Sequence, residues 1–180
     1  MHQTLLFKSF VSVKSTLGAW AQLLAGSLFI ALCAQISLPL PFTPVPLTCQ
    51  TLAILLLGAT LGSKRAFTCT LLYLFEISLG VPFLAGGVIK PLVFLDPTAG
   101  YLLGMPLMAY IAGKVSNQKT ISLNIFLLSL ACLSVLLMGT CKLAIITGWN
   151  QAFFLGFYPF IAGEALKVLM VTTYLKAYVF

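Results

Sequence analysis

The side chains with the clearest chemical potential in this sequence are an acid and a base within an otherwise apolar segment. Glu164 and Lys167 occur in GEALK, residues 163–167, and their spacing of three places them on one face of a helix. Charged groups inside a membrane are costly, so they usually pair, face the bundle interior and mark a substrate site. Such a pair can bond both donors and acceptors of a polar ring. Alternatively, it satisfies itself and binds no ligand.

Further polar candidates lie in or beside two irregular stretches. Gln50 follows the proline-rich stretch 39–46 and can exchange hydrogen bonds with the loop or with a ligand. Lys90, the only cation in the stretch 80–97, follows two glycines where backbone can approach a ligand closely. It either holds a substrate carboxylate or contacts lipid headgroups. Asp96 precedes a predicted helix start, which favours a helix-capping carboxylate.

Aromatic residues beside these stretches are candidates for the walls of a binding pocket. Aromatic side chains at a membrane interface commonly form an anchoring belt, whereas small-molecule pockets are lined by apolar groups with a few polar ones. We expect some of the aromatic residues to line a pocket. The candidates are Phe42, Phe83, Tyr101 and Trp149.

The composition is that of an integral membrane protein. The chain of 180 residues is 61% hydrophobic and 7% charged, whereas soluble domains have about 25% charged residues. Charge-poor runs recur from Ala19 to the C-terminus, which predicts one polytopic all-α domain over residues 1–180. A helical span needs roughly 17–25 residues. The predicted spans are 19–38, 47–62, 66–79, 98–113, 121–139 and 160–178.

Basic residues set the predicted orientation. They fall on one side of the membrane if the first five spans are real, and the positive-inside rule makes that side cytoplasmic. Six spans then place both termini of a plasma-membrane protein in the cytoplasm, including segment 1–18, with 150–157 as a helical piece in the outer leaflet. A seventh span would put Lys176 outside. The residues that set the orientation are Lys8, Lys14, Lys64, Arg65, Lys114 and Lys119.

The longer irregular stretches, 39–46, 80–97 and 140–162, fall on the opposite, outer face. Four prolines in the first of them fix φ and lack an N–H, which predicts a stiff extended loop. We expect this loop to pivot at its ends, residues 37–38 and 47–48. Irregular backbone at membrane depth is tolerated where it lines a cavity. The sequence therefore predicts a ligand pocket near the outer face.

Several classes of function find no support in the sequence. The only histidine is His2, and metalloprotease, serine-hydrolase and phosphate-loop motifs are absent. We therefore predict neither an enzyme nor a metal site, and active transport would draw its energy from a partner or an ion gradient. The five cysteines are scattered and behave as small hydrophobes. The net charge of +7 reflects membrane topology rather than nucleic-acid binding.

The first predicted span carries two pairs of small residues, each four positions apart. Ala21 and Ala25 form one pair, and Ser27 and Ala31 form the other. Such spacing permits close helix packing. The packing partner is either a partner protein or another helix of the same chain.

Three segments have a distinctive pattern. They are ALCAQISLPLPFTPVPLTCQTLAILLLGATLG, LLYLFEISLGVPFLAGG and DPTAGYLLGMPL, within residues 31–113. These segments resemble the BioY family, the biotin-binding S components of energy-coupling factor (ECF) vitamin transporters. GEALK resembles the family's acidic-x-x-Lys element, in which the acid is usually Asp.

The resemblance implies a six-helix, S-component-like bundle in the lipid membrane that captures biotin on the outer side and delivers it inward. An ECF coupling protein and ATPases are its possible partners, and no cofactor is implied. Glu164 and Lys167 would contact the ureido end of biotin, and Tyr101 and the proline loop would wall the pocket. Lys90 is a candidate contact for the valerate carboxylate.

Two other hypotheses stay open at this point. After Gly87 the chain departs from the glycine-rich pattern of the family, which leaves room for uptake of another small vitamin. The third hypothesis is a membrane scaffold without transport activity, in which Glu164 and Lys167 only tie helices together.

Overall fold

The computed structural model describes residues 16–90, 92–117 and 120–178, which form a bundle of helices. Most of the predicted cytoplasmic segment 1–18 and Lys119 lie outside the described residues. The α-helices of the described part are α1 (Thr16–Gln35), α2 (Gln50–Leu61), α3 (Ser63–Ser78), α4 (Ala99–Ala112), α5 (Ile121–Thr147), α6 (Trp149–Gly156) and α7 (Tyr158–Tyr178). Short 3-10 turns occur at Ala85–Gly87, Val93–Leu95 and Gly113–Asn117.

Six of these helices overlap the six predicted spans, and α6 occupies the position predicted for a short helical piece. By length and apolar composition, three stretches of the described chain are able to cross a membrane. They are Thr16–Gln35, Ile121–Thr147 and Trp149–Ala177, the last of which contains the break at Phe157. The mostly helical fold is therefore confirmed, with three stretches that are candidate membrane spans, whereas the count of six spans stays a prediction.

Helix α5 is longer than the sequence predicts. It continues past the predicted end at Gly139 to Thr147, and Gly148 ends it with φ +81°, a left-handed conformation that glycine adopts without strain. Residues 140–162, predicted as an irregular loop, are therefore mostly helical. The prediction failed because Gly139 was taken as a helix end, although glycine is tolerated inside a helix where a neighbour packs against it.

The proline-rich loop is the tip of a small hairpin. Strand β1 (Ser37–Leu38) pairs antiparallel with β2 (Leu47–Thr48), so that Ser37 is opposite Thr48. The loop is thus closed at its base by the residues that the sequence predicts as hinges. Pivoting about this base stays a prediction, and the ladder means that both ends would have to move together.

The core lies between α4 and α5, with α2, α3 and α7 packed around them. Helix α1 packs against α2 and α3. This packing buries one of its two pairs of small residues and leaves the other pair exposed. Ser27 and Ala31 are buried within the chain, whereas Ala21 and Ala25 are exposed. That Ala21 and Ala25 contact a partner protein stays a prediction.

A polar contact joins α1 to α3 inside the bundle. The hydroxyl of Ser27, which is fully buried, donates a hydrogen bond to Oε2 of Glu76. A carboxylate packed between apolar helices is stabilised by such a donor. The small residue at position 27 therefore both lets the helices approach and satisfies an acid on the neighbouring helix.

Replacing Ser27 by alanine is expected to lower the free energy of unfolding by about 1–2 kcal/mol, because Glu76 loses a hydrogen-bond donor. A thermal-shift assay of the purified protein in detergent measures this as a lower Tm. Ser78→Ala is the matched control, since its hydroxyl bonds only the Phe75 carbonyl of its own helix among described groups. Equal Tm values for the two variants would contradict the role given to Ser27.

Candidate ligand-binding site

A cavity of about 240 Å³ lies between the two irregular loops and the ends of the neighbouring helices. Ligand pockets commonly measure ~300–1,000 Å³, so this one suits a ligand smaller than a typical drug. The proline loop and the stretch before α4 both line it. The lining residues include Pro44, Val45, Pro46, Gln50, Thr51, Leu84, Val88, Lys90, Asp96, Tyr101, Leu102, Met105, Val135, Leu136, Phe160, Glu164 and Lys167.

The buried end of the cavity carries the predicted ion pair together with a third residue. Nζ of Lys167 lies 2.7 Å from Oε1 of Glu164, as expected for neighbours on one face of α7. Thr51, at the start of α2, donates its hydroxyl hydrogen to the same Oε1 over 2.8 Å. It also accepts a hydrogen bond from Lys167 over 2.7 Å. The three side chains form a closed triangle of hydrogen bonds.

This triangle is shielded from solvent. The side chains of Glu164 and Lys167 are 8% and 9% exposed, and Thr51 is buried. A buried ion pair offsets its desolvation cost only when further hydrogen bonds satisfy the remaining atoms. Oε2 of Glu164 is buried and has no hydrogen-bond partner among the described residues. An unsatisfied acceptor on a cavity wall is a candidate position for a hydrogen-bond donor such as a ligand N–H.

The start of α2 adds to the electrostatics of this end. The first backbone N–H groups of a helix have no partner within the helix, and the helix dipole favours negative charge there. Thr51 is the second residue of α2 and holds the Glu164 carboxylate at this position. The carboxylate is thus bonded by Lys167 and by a hydroxyl from the first turn of α2.

The cavity lining also includes a second, more exposed ion pair. Nζ of Lys90 lies 2.7 Å from Oδ2 of Asp96, and the two side chains are 52% and 31% exposed. The prediction that Asp96 caps the next helix through its side chain is wrong. Thr98 precedes α4 without a side-chain cap, and Asp96 contributes its backbone carbonyl to Ala99. Its carboxylate is used by Lys90, which lies close by on the same loop.

Gln50 is part of a polar chain that anchors the second loop. Its Nε2 donates to the hydroxyl of Tyr73 over 2.6 Å, and that hydroxyl donates to the carbonyl of Phe83 over 3.0 Å. Gln50 lines the cavity, while Phe83 contributes its backbone to the chain and its side chain packs against the core. The side-chain nitrogen of Gln50 therefore helps to hold the loop 80–97 in place through Tyr73. The side-chain oxygen of Gln50 accepts a hydrogen bond from Thr48 over 2.9 Å.

Tyr101 forms part of the apolar wall. Its hydroxyl donates to the carbonyl of Gly156 over 2.6 Å, so the ring rather than the hydroxyl is available to a ligand. The ring centroid lies 6.1 Å from that of Phe160, which also lines the cavity. Phe160 and the α5 residues Val135 and Leu136 were missed by the sequence analysis, because nothing distinguishes them from other apolar residues of their helices.

Three predicted ligand contacts lie away from the cavity lining. Phe42 is at the tip of the proline loop and is 55% exposed, and Trp149 begins α6 and is 61% exposed. The Trp149 ring lies against Phe153, with centroids 6.4 Å apart. The side chain of Phe83 packs against the hydrophobic core. The structure therefore gathers Glu164, Lys167, Tyr101, Lys90 and Gln50 around one cavity, and ligand contact by any of the eight stays a prediction.

The cavity lining combines a buried acceptor and ammonium, an apolar and aromatic wall, and a more exposed cation paired with a carboxylate. A small molecule with a polar ring, an apolar body and an anionic tail is complementary to this set of groups. The fold and the site thus define a mostly helical protein, with helices long and apolar enough to span a membrane, that holds a cavity among its helices.

Comparisons with known proteins agree with this class. A solved structure described as the S-component for biotin from an ECF-type ABC transporter superposes with a TM-score of 0.80, covering 92% of this chain and 94% of that chain at 19% identity. The chain belongs to the BioY family, whose model matches residues 7–179.

Two curated relatives cover most of the chain. A probable biotin transporter BioY of Pyrococcus horikoshii is 38% identical over 145 residues, which are 78% of this chain and 85% of the relative. The biotin transporter BioY2 of Lactococcus lactis subsp. cremoris is 32% identical over 153 residues, which are 83% of each chain.

Proposed function

We propose that this chain is the biotin-binding S component of a vitamin uptake system. The observation that carries the proposal is the buried Glu164–Lys167 pair, which lines a cavity and keeps one carboxylate oxygen unpartnered. Membership of the BioY family, with curated relatives named as biotin transporters, supports biotin as the ligand.

In the proposed complex, biotin lies along the cavity with its ureido ring at the buried end. A ureido N–H donates to Oε2 of Glu164, and the ureido oxygen accepts from Lys167. The fused rings and the aliphatic chain lie against the apolar wall that Tyr101 and Phe160 provide. The valerate carboxylate reaches the exposed end, where Lys90 exchanges its contact with Asp96 for the ligand.

The proposed route across the membrane follows from the predicted topology. With both termini in the cytoplasm and six spans, the cavity opens to the outer side between the two irregular loops. Biotin is released inward unchanged, so no bond is made or broken in this chain. We propose that an ECF coupling protein and its ATPases supply the energy, since the sequence carries no phosphate-binding loop.

Titration of the purified chain with biotin tests the proposal. Isothermal calorimetry in detergent is expected to give saturable binding at about one biotin per chain. Competition against riboflavin, thiamine and pantothenate separates biotin from the other vitamins, and these are expected to leave biotin binding unchanged. Absence of biotin binding, or displacement of biotin by another vitamin, would contradict the assignment.

Lys90→Gln is expected to weaken biotin binding about tenfold, because a charge-assisted contact to the carboxylate contributes roughly 1–2 kcal/mol at a half-exposed site. Biotin amide, which has no carboxylate charge, is the matched ligand. Its affinity is expected to be the same for Lys90→Gln and for the unmodified protein. An equal loss for both ligands would show that Lys90 does not recognise the carboxylate.

A further inference from the structure

Thr51 occupies an unusual position in the buried end of the cavity. Its hydroxyl is both donor and acceptor within the ion pair: it donates to Glu164 Oε1 and accepts from Lys167 Nζ. The two partners lie on α7, while Thr51 lies on α2, 113 and 116 residues away in sequence. One side chain from a different helix therefore links the acid and the base into a single unit.

The hydrogen-bonding capacity of the unit shows what remains for a ligand. The ammonium of Lys167 has three hydrogens, of which one is used by Oε1 of Glu164 and one by Thr51. Oε1 of Glu164 accepts from both Lys167 and Thr51. Oε2 of Glu164 has no partner among the described residues, and the two hydrogen bonds that Lys167 makes to described residues leave its third ammonium hydrogen. The unit thus offers one donor beside one acceptor.

We propose that Thr51 is the positioning residue that gives the Glu164–Lys167 pair this single orientation, and that it thereby selects ligands whose edge carries one N–H next to one C=O. This inference rests on the proposed function, since a cyclic urea is such an edge. Without the hydroxyl, the ammonium is free to turn its hydrogens toward either carboxylate oxygen. The acceptor and the donor then no longer face the ligand together.

The inference predicts discrimination between biotin and its guanidino analogue, in which a nitrogen replaces the ureido oxygen. A guanidinium group stays protonated at neutral pH and carries donors only. Its edge satisfies Oε2 of Glu164 but places an N–H and a positive charge against Lys167. The unmodified protein is therefore expected to prefer biotin strongly, because specificity includes repulsion of the wrong ligand.

Thr51→Val removes the hydroxyl at nearly constant volume and is the decisive variant. It is expected to weaken biotin binding about 10–100-fold, since hydrogen bonds to charged groups are lost. It is also expected to reduce the preference for biotin over the guanidino analogue at least about tenfold. Thr51→Ser keeps the hydroxyl. Its biotin affinity and its preference for biotin over the guanidino analogue are expected to lie within about threefold of those of the unmodified protein. If the valine variant does not fold, Thr51→Ala is used in its place to remove the hydroxyl.

Thr70→Val is the matched control. Thr70 is likewise a buried threonine, but its hydroxyl bonds the carbonyl of Ala66 within its own helix. It is expected to leave the preference between the two ligands unchanged, even if the Tm falls. A preference that stays unchanged in both Thr51→Val and Thr51→Ala, while the unmodified protein binds biotin, would overturn the role of Thr51. Failure of the unmodified protein to bind biotin would instead overturn the proposed function.

A double-mutant cycle adds a second test. In a Glu164→Ala background the oxygen that accepts from both Lys167 and Thr51 is absent, so Thr51→Val is expected to change biotin affinity by less than about threefold. Full additivity of the two substitutions would show that Thr51 acts independently of the pair. That result would also overturn the inference.

Discussion

Lys167→Met is expected to weaken biotin binding by about 10–100-fold and to lower the Tm of the protein. The substitution removes the donor proposed for the ureido oxygen, a loss of roughly 1.5–3 kcal/mol. It also leaves Glu164 as a buried carboxylate without its cation, which costs about 3–5 kcal/mol of folding free energy. Calorimetric titration with biotin and a thermal-shift assay measure the two effects separately.

Lys176→Met is the matched control, because it makes the same substitution on the same helix at an exposed position. It is expected to leave affinity and Tm close to those of the unmodified protein. The double variant Glu164→Gln with Lys167→Met removes both charges and is expected to recover stability without recovering biotin binding. Normal biotin affinity in Lys167→Met would contradict the placement of the ureido ring.

Gly139→Ala is expected to lower the free energy of unfolding by about 3 kcal/mol or more. A Cβ at this position would overlap the ring of Tyr101, which packs directly on the α5 backbone. Inserting atoms into a packed core costs typically 1–3 kcal/mol and occasionally more. The displaced ring also loses its hydrogen bond to Gly156. Because Tyr101 lines the cavity, biotin affinity is expected to fall with the Tm.

Two further variants make this prediction specific. Gly163→Ala adds the same methyl group on α7, where the nearest atom is the flexible end of Leu47 at 3.1 Å, and a much smaller change in Tm is expected. Tyr101→Ala clears the space into which the new Cβ would project. Gly139→Ala is therefore expected to cost less in that background than alone. A Tm for Gly139→Ala equal to that of the unmodified protein would contradict the observed packing.

The ion pair was predictable from sequence, but its third member was not. A spacing of three in a helix places Glu164 and Lys167 side by side wherever the helix lies, so local geometry was sufficient. Thr51 meets them only because α2 packs against α7. No pattern within α2 distinguishes Thr51 from a threonine that bonds its own helix, as Thr60 does. Tertiary contacts between distant segments decide which of these roles a threonine takes.

The loops, too, were predictable from sequence only in part. The prolines of 39–46 predicted a stiff loop that walls a pocket, and Pro44 and Pro46 line the cavity. The short ladder at its base was not predictable, since two-residue strands have no recognisable periodicity. Phe42 and Trp149 were selected as aromatic residues near loops. That criterion does not separate a pocket wall from an exposed interfacial side chain, and both of these residues are exposed.

The central claim is that the Glu164–Lys167 pair binds the ureido group of biotin at the buried end of the cavity. The most direct test is an experimental structure of the full chain bound to biotin. We expect a ureido nitrogen within about 3 Å of Glu164 Oε2 and the ureido oxygen within about 3 Å of Lys167 Nζ. Biotin bound outside the cavity, or with its ureido ring beside Lys90, would contradict the account.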